Sequence, residues 1–246
     1  MTTENIETRT AIVTGAGKGI GRAISLELAK SGYYIIINYL ADKNGAEQTL
    51  ALVKETGGDG EICQFDVRDR EAVSEVIADI AARFATIDIL INNAGIIADG
   101  LFMMMPPENW QSVIDTGLQG FYNMTRPVLE KMVRQRQGVV VSISSAAALL
   151  PNRGQANYAA AKAGINAASR AVACEVARLG IRVNVVAPGL IDTEMIKDAP
   201  IDNIKAMIPM ARIGKPAEVA RVVRFLCSAD ASYITGQVIS VNGGMF

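Results

Sequence analysis

The chain has 246 residues, half of them apolar, with no histidine and a formal net charge of −1, which is length enough for one domain with a sizeable core and no basic field for nucleic acid. Without histidine, the Ser-His and Cys-His hydrolases are excluded and catalytic zinc is disfavoured. Cys63, Cys174 and Cys227 are far apart, odd in number and without metal-ligand spacing, so free thiols and no metal site are expected; residues 1–7 lack the apolar core of a signal peptide and no apolar run reaches membrane-spanning length, so a cytoplasmic protein is expected.

In chain order, the apolar run at residues 9–14 predicts a buried strand that runs straight into Gly15-Ala-Gly-Lys-Gly19-Ile-Gly21. A helix follows over 22–30 and stops at Ser31-Gly32. A glycine cluster alone is a plain tight turn; between a strand and a helix it lets the backbone approach a pyrophosphate at the helix N-terminus. A nucleoside-triphosphate P-loop needs Ser or Thr after Gly-Lys, and Gly19 follows Lys18 here. The second strand, residues 33–38, ends on Asn38, where a cofactor lacking a ribose phosphate would usually meet a carboxylate. Lys18 and Lys43 offer cations for a 2′-phosphate, so NADP(H) is preferred, although Asp42 weakens the case for Lys43, which also reads as a solvated helix start.

Further strands are predicted at 60–66, 87–92, 138–144, 181–186 and 238–241, and helices at 71–84, 107–135, 155–178 and 216–228. Seven strands alternating with helices imply an α/β fold, a single-domain, seven-stranded doubly wound parallel sheet of Rossmann type with helices on both faces and ligands at the carboxyl ends of the strands. The third strand closes on Asp66 and Val67, which face a cofactor or, for Asp66, cap the next helix. The fourth closes on Asn92-Asn-Ala-Gly95, either a structural turn or a surface for the cofactor; the fifth ends at Ser145, and the sixth at Pro188-Gly189.

Tyr158 and Lys162 lie four residues apart in a helical stretch, which places phenol and ammonium on one face. A fixed cation favours phenolate and is expected to lower the tyrosine pKa, so that Tyr158 can pass a proton to or from an alcohol oxygen near neutral pH.

Taken together, Thr14-Gly-Ala-Gly-Lys-Gly-Ile-Gly21, Asn92-Asn-Ala-Gly95, Ser145 with Tyr158 and Lys162, and Pro188-Gly-Leu-Ile-Asp-Thr193 resemble, in order, the signature series of the short-chain dehydrogenase/reductase family. The likeness spans essentially the whole chain. Gly154-Gln-Ala-Asn-Tyr158, Val183-Asn-Val-Val-Ala-Pro188, Arg212-Ile-Gly214 and Gly236-Gln-Val-Ile-Ser-Val-Asn-Gly-Gly244 resemble its 3-oxoacyl-[acyl-carrier-protein] reductases, and Asn152-Arg-Gly-Gln155, Met207-Ile-Pro-Met210 and Tyr233-Ile-Thr235 are similar to those of bacterial aryl-polyene clusters. The resemblance implies catalysis by Ser145, Tyr158 and Lys162, and NADP(H) held by Gly15, Lys18, Gly19, Ile20, Gly21, Asn38, Asp66, Val67, Asn92, Ala94, Gly95, Tyr158, Lys162, Pro188, Gly189, Ile191 and Thr193. It implies an acyl carrier protein as partner and a homotetramer burying residues 124–134 and 241–246.

Gly117 departs from the family, which places there an asparagine that supports a water relay to the lysine. Asn123, six residues on, falls about 240° around an ideal helix and is a poor replacement. Residues 190–213, with Met195, Met207 and Met210, read as a substrate lid, and Met103-Met-Met105 as part of an adaptable acyl pocket; the alternative is that some of these methionines fill core or subunit contacts. Lys131, Arg134 and Arg136 form either a carrier-docking patch or a solvated face. Three functions stay open: a 3-oxoacyl-thioester reductase in fatty-acid or polyene synthesis, a related reductase of coenzyme-A thioesters, quinones or small ketones, and a weakly active cofactor-binding subunit of a hetero-oligomer.

Overall fold

Alternation along the apolar strands decides the architecture. In β1 (Thr10–Val13), Ala11 and Val13 face one layer of helices and Ile12 the other, and every residue of the strand is buried, as a parallel sheet covered on both faces requires. A computed structural model describes residues 8–194 and 208–246. Within them β1 is followed by β2 (Tyr34–Tyr39), β3 (Asp59–Gln64), β4 (Ile89–Asn92), β5 (Gly138–Ile143), β6 (Ile181–Pro188) and β7 (Val238–Val241). They form one seven-stranded sheet in the order β3-β2-β1-β4-β5-β6-β7, every pairing parallel.

On one face α1 (Gly19–Ala29), α2 (Lys43–Glu55) and α7 (Pro216–Cys227) seat Ile24, Leu28, Val53, Val219 and Val223 on Val13, Ile35, Ile37, Ile89 and Ile91. On the other, α3 (Arg70–Arg83), α5 (Gly120–Gln135) and α6 (Ala156–Val176) pack Ile77, Met124, Val128, Met132 and Ala173 on Ile12, Ile36, Leu90, Val140 and Val183. Each fully buried aliphatic side chain contributes about 2 kcal/mol. The strand order reverses between β1 and β4, so the crevice at their carboxyl ends is where a ligand is expected.

The predicted elements recur with small shifts at their ends. Of helix α2 only a solvated start at Lys43 was anticipated, because its thirteen residues bury only Gly45, Ala46, Thr49 and Val53 and carry little apolar signal. Asp42 starts it, accepting a bond from the Gly45 amide at 2.8 Å. Residues 107–135 form a continuous helical path, α4 (Pro107–Ile114) joined to α5 through a π-helical turn at Asp115–Gln119. Gly117 sits in that turn, a feature often found at functional sites. Of the expected lid, residues 195–207, with Met195 and Met207, lie outside the described residues; Met210 is exposed.

Candidate active site

The glycine turn is held from below by side chains of three strand ends. Gly15 and Gly19 adopt left-handed φ of 61° and 55°, which favours glycine. A Cβ on Gly21 would lie 2.5 Å from the Gly15 carbonyl oxygen and 2.6 Å from Asn93 Nδ2, so only glycine lets α1 begin this close to β1. Asn93 Nδ2 donates to the Thr14 and Gly15 carbonyls at 2.8 and 3.1 Å, and the Thr14 hydroxyl accepts from the Asn93 and Ala94 amides at 2.9 and 3.0 Å. Lys18 takes the N-cap position in extended conformation and offers no side-chain acceptor to the first-turn amides of α1. An anion suits that end of the helix.

Asn38 lies at the end of β2, as expected, but is fully engaged inside the protein. Its Oδ1 accepts from the Gly15 amide at 3.1 Å and its Nδ2 donates to the Phe65 carbonyl at 3.0 Å. It clamps the turn, and its influence on a cofactor is through that turn. Asn92 likewise turns inward, its Nδ2 donating to Thr125 Oγ1 at 2.9 Å and to Ser142 Oγ at 3.4 Å. Asp66 does not cap α3; Asp69 does, accepting from the Glu71 and Ala72 amides. Arg68 pairs with Asp66 at 2.6 Å and holds its carboxyl below the usual carboxylate range. Val67 is buried against Gly120, with no room there for a Cβ.

On the far side of the crevice, Pro188 ends β6 and Gly189 continues the ladder through its amide to the Val241 carbonyl at 2.9 Å. A Cβ on Gly189 would meet Asn242 at 2.8 Å. Ile191 is buried and pairs with Gly214, while the Thr193 methyl stands over Gly19, 3.4 Å from where a Cβ would be. Lys18 crosses the rim to Glu194 at 2.8 Å, both side chains more than half exposed. That ion pair and a neighbouring Asp42 raise the Lys18 pKa. An open cleft of about 820 Å³ runs between Lys18, Gly19 and Arg22 on one wall and Thr193, Glu194 and Lys215 on the other. The turn and the uncapped helix start fit a dinucleotide phosphate, while the cleft beyond them balances Lys18, Arg22 and Lys215 against Asp42, Asp192 and Glu194.

The residues expected to react stand at the end of β5 and in α6. Ser145, in extended conformation after β5, lies near enough to Tyr158 to pull its pKa down and accepts from the Ala147 amide at 3.1 Å. Lys162 is buried, its Nζ donating to the Ile143 carbonyl at 2.8 Å and lying 5.6 Å from the centroid of the Tyr158 ring. Gly95 lies directly beneath the ammonium, since a Cβ there would sit 3.3 Å from Nζ. Ser144, one residue before Ser145, fastens α6 to β5 by donating to the Lys162 carbonyl at 3.1 Å. Asn157 braces the start of α6, donating to the Ala98 and Asn109 carbonyls at 2.9 and 3.2 Å.

One expectation is corrected. The Tyr158 pKa is raised, chiefly because its surroundings exclude water, with Ser145 acting against that rise. Lys162 does not lower it, because burial leaves that lysine with a pKa of about 8 and it has lost its charge before the phenol titrates. The pair therefore holds Tyr158 protonated at neutral pH, ready to act as an acid.

Gly117 faces α6, with room for a Cβ only 3.3 Å from that of Ala161, the neighbour of Lys162. Asn123 does not replace the missing amide: its Nδ2 donates to the Val67 and Arg68 carbonyls at 2.9 and 3.0 Å and its Oδ1 accepts from Gln119. Among the described residues, no group of three His, Cys, Asp or Glu could hold a metal, and no helix is long and apolar enough to cross a membrane.

Sequence reasoning missed the supporting bonds of Thr14, Asn93, Ser144 and Asn157. All four adjoin residues it had singled out, but the bonds to the glycine turn and to α6 join positions 18 to 80 residues apart.

A glycine turn at the switch point of a parallel sheet, facing a Ser-Tyr-Lys group on the adjoining strand end and helix, defines a nucleotide-dependent oxidoreductase, and the chain belongs to the short-chain dehydrogenase/reductase family. The family model described as Enoyl-(Acyl carrier protein) reductase matches residues 15–246. The 3-oxoacyl-[acyl-carrier-protein] reductase FabG of Staphylococcus aureus is 43% identical over 97% of this chain and 98% of its own length. FabG of Aggregatibacter actinomycetemcomitans is 44% identical over 96% and 98%, and the 3-oxoacyl-[acyl-carrier-protein] reductase of Synechocystis 42% over 96% of each chain.

Proposed function

We propose that this protein reduces a 3-oxoacyl thioester carried on acyl carrier protein to the 3-hydroxyacyl thioester, with NADPH as reductant. The observation that carries the reading is Ser145 beside Tyr158, which is one helical turn from Lys162, at the strand ends facing the glycine turn, in a chain about 43% identical to reductases of that name. The nicotinamide, when bound, supplies the hydride that reaches the β-carbonyl carbon. Ser145 holds the carbonyl oxygen, and Tyr158 gives its proton to that oxygen as charge develops there. The buried Lys162 ammonium stabilises the phenolate that remains. Preference for NADPH over NADH rests on Lys18 at the mouth of the cleft and on the lack of a carboxylate at Asn38.

The surroundings of this chemistry follow the same reading. The protein works in the cytoplasm as a homotetramer, joined across the open groove of Phe121, Leu129, Val133 and Val172 between α5 and α6. The carrier protein, being acidic, meets Arg136, which does not line that groove, more readily than Arg134, which does, or Lys131, whose Nζ is bonded to the Ala81 carbonyl at 3.3 Å. A pigment-pathway substrate of aryl-polyene type belongs to the same reading.

The test mixes purified protein with acetoacetyl carrier protein and NADPH and follows loss of nicotinamide absorbance. Oxidation of NADPH should fall by roughly 10²–10⁴-fold in Tyr158→Phe while cofactor binding persists. Tight NADPH binding with no turnover of carrier-bound, coenzyme-A or quinone substrates would instead mark the chain as a silent cofactor-binding subunit, the reading that Gly117 favours.

A further inference from the structure

Helix α6 carries Tyr158 in its first turn, yet it starts without a cap of its own. Gln155 takes the N-cap position, where Ser, Thr, Asp or Asn is usual, and its side chain makes no bond to the first-turn amides. It reaches outward instead: Oε1 accepts from Asn152 Nδ2 at 3.2 Å and Nε2 donates to Asp99 Oδ2 at 3.0 Å. The Tyr158 amide, one of those that a helix start leaves unpaired, donates to Asn157 Oδ1 at 2.8 Å.

The start of α6 is therefore held from outside, by the segment that follows β4. Residues 98–100 meet residues 154–157 through three bonds in succession: the Ala98 carbonyl accepts from Asn157 Nδ2 at 2.9 Å, Asp99 accepts from Gln155, and the Gly100 amide donates to the Gly154 carbonyl at 2.9 Å. Gly154 makes that approach with a φ of 87°, a left-handed value that favours glycine. On the side of residues 98–100, the first and last of these bonds use backbone groups, which do not depend on the side chain. Only the middle one needs a particular residue, the Asp99 carboxylate. An exposed acid on a loop is ordinarily a solvated charge. This one is exposed but bonded to the residue three before Tyr158, and it lies near enough to the phenol to raise its pKa as well.

We propose that Asp99 is a positioning residue of this site: through Gln155 it fixes the first turn of α6, and so the reach of the Tyr158 hydroxyl toward the substrate oxygen. The proposal rests on the reductase reading above and adds to it a residue that acts through another. A proton passes well only at hydrogen-bond distance, and a displacement of about 1 Å costs on the order of 10²-fold in rate. Without the Asp99 carboxylate the Gln155 amide turns to water, and the helix start keeps only the Asn157 and Gly154 bonds to that segment. The phenol then wanders by a fraction of that displacement. The glycine turn is clamped separately, by Asn38 and Asn93 on other strand ends, so cofactor affinity stays as it was.

The experiment measures kcat and KM for acetoacetyl carrier protein and NADPH at neutral pH in the wild type, Asp99→Ala, Gln155→Ala, the doubly substituted enzyme and Asp99→Asn, with thermal unfolding recorded for each. Either alanine variant should lose about tenfold in kcat with KM for NADPH unchanged. The double variant should lose no more than either alone, because both changes remove the same bond. Asp99→Asn still offers Gln155 an oxygen and should recover most of the loss; its missing charge matters little at neutral pH, since burial is the larger reason that the phenol stays protonated. Wild-type kcat in Asp99→Ala, losses that multiply in the double variant, or an Asp99→Asn enzyme no faster than Asp99→Ala overturns the proposal and leaves the reductase activity standing. A loss confined to KM for NADPH, or a kcat that returns to the wild-type value once corrected for the folded fraction, overturns it as well. Turnover of no 3-oxoacyl substrate by the wild type overturns the reductase reading and this proposal together.

Discussion

Replacing Lys162 by methionine should make the cofactor-free protein more stable at neutral pH, even as it removes the buried cation of the site. The ammonium is 96% withdrawn from solvent, at 4% exposure, and its pKa falls from 10.5 to about 8. A lysine whose folded pKa is depressed costs stability most fully below the folded value, and the cost fades as pH rises toward the unfolded one. At ~1.36 kcal/mol per unit, burying the charge costs about 3 kcal/mol. Methionine removes that cost and strands the Ile143 carbonyl that Nζ now satisfies at 2.8 Å, which takes back about 1 kcal/mol. Lys162→Met should therefore be about 2 kcal/mol more stable than wild type near pH 7, with the difference shrinking from pH 8 upward and reversing above 10.5. Urea unfolding of both proteins by circular dichroism at matched protomer concentration reads this directly, because other titrating groups cancel in the difference. A gap that stays constant from pH 8 to 10.5, or one that narrows as pH falls, would refute the reasoning.

Other expectations follow from the same geometry. Glu194→Gln releases Lys18 from an ion pair in which both partners are more than half exposed, so KM for NADPH should fall about two- to fivefold, with NADH unaffected, in steady-state assays. Gly21→Ala sets a methyl 2.5 Å from the Gly15 carbonyl; thermal unfolding should show a loss of about 1–3 kcal/mol and cofactor titration a larger proportional loss of affinity. Gly117→Asn places an amide beside Ala161, next to Lys162, and should raise kcat severalfold if proton resupply limits turnover; an unchanged kcat in stopped-flow and steady-state comparison would put the limit elsewhere.

The sheet was legible because Tyr34–Tyr39 and Ile89–Asn92 are so apolar that only a covered parallel strand suits them. Tyr158 and Lys162 were legible because helical spacing alone puts them on one face. What spacing could not reveal is where a polar atom turns once the chain is folded. Asn38 and Asn92 sit at the strand ends where a ligand binds, yet both amides point into the protein, and Lys162 donates to a carbonyl of the strand beside it. The raised pKa of Tyr158 was hidden for the same reason, because solvent exclusion is a property of the packed site and not of the helix that carries the residue.

The clamp beneath the glycine turn has a consequence for how the protein comes into being. Asn38 joins β2 to the turn, Asn93 reaches back from β4, and Ser145 and Tyr158 take their places only once β5 and α6 are docked. Each of these joins is long in sequence, and an all-parallel sheet offers no hairpin in which a smaller version could form. No N-terminal fragment short of α6 contains both halves of the site, so on the ribosome the complete site arrives late, and binding of a nicotinamide cofactor would serve as a gauge of completed folding.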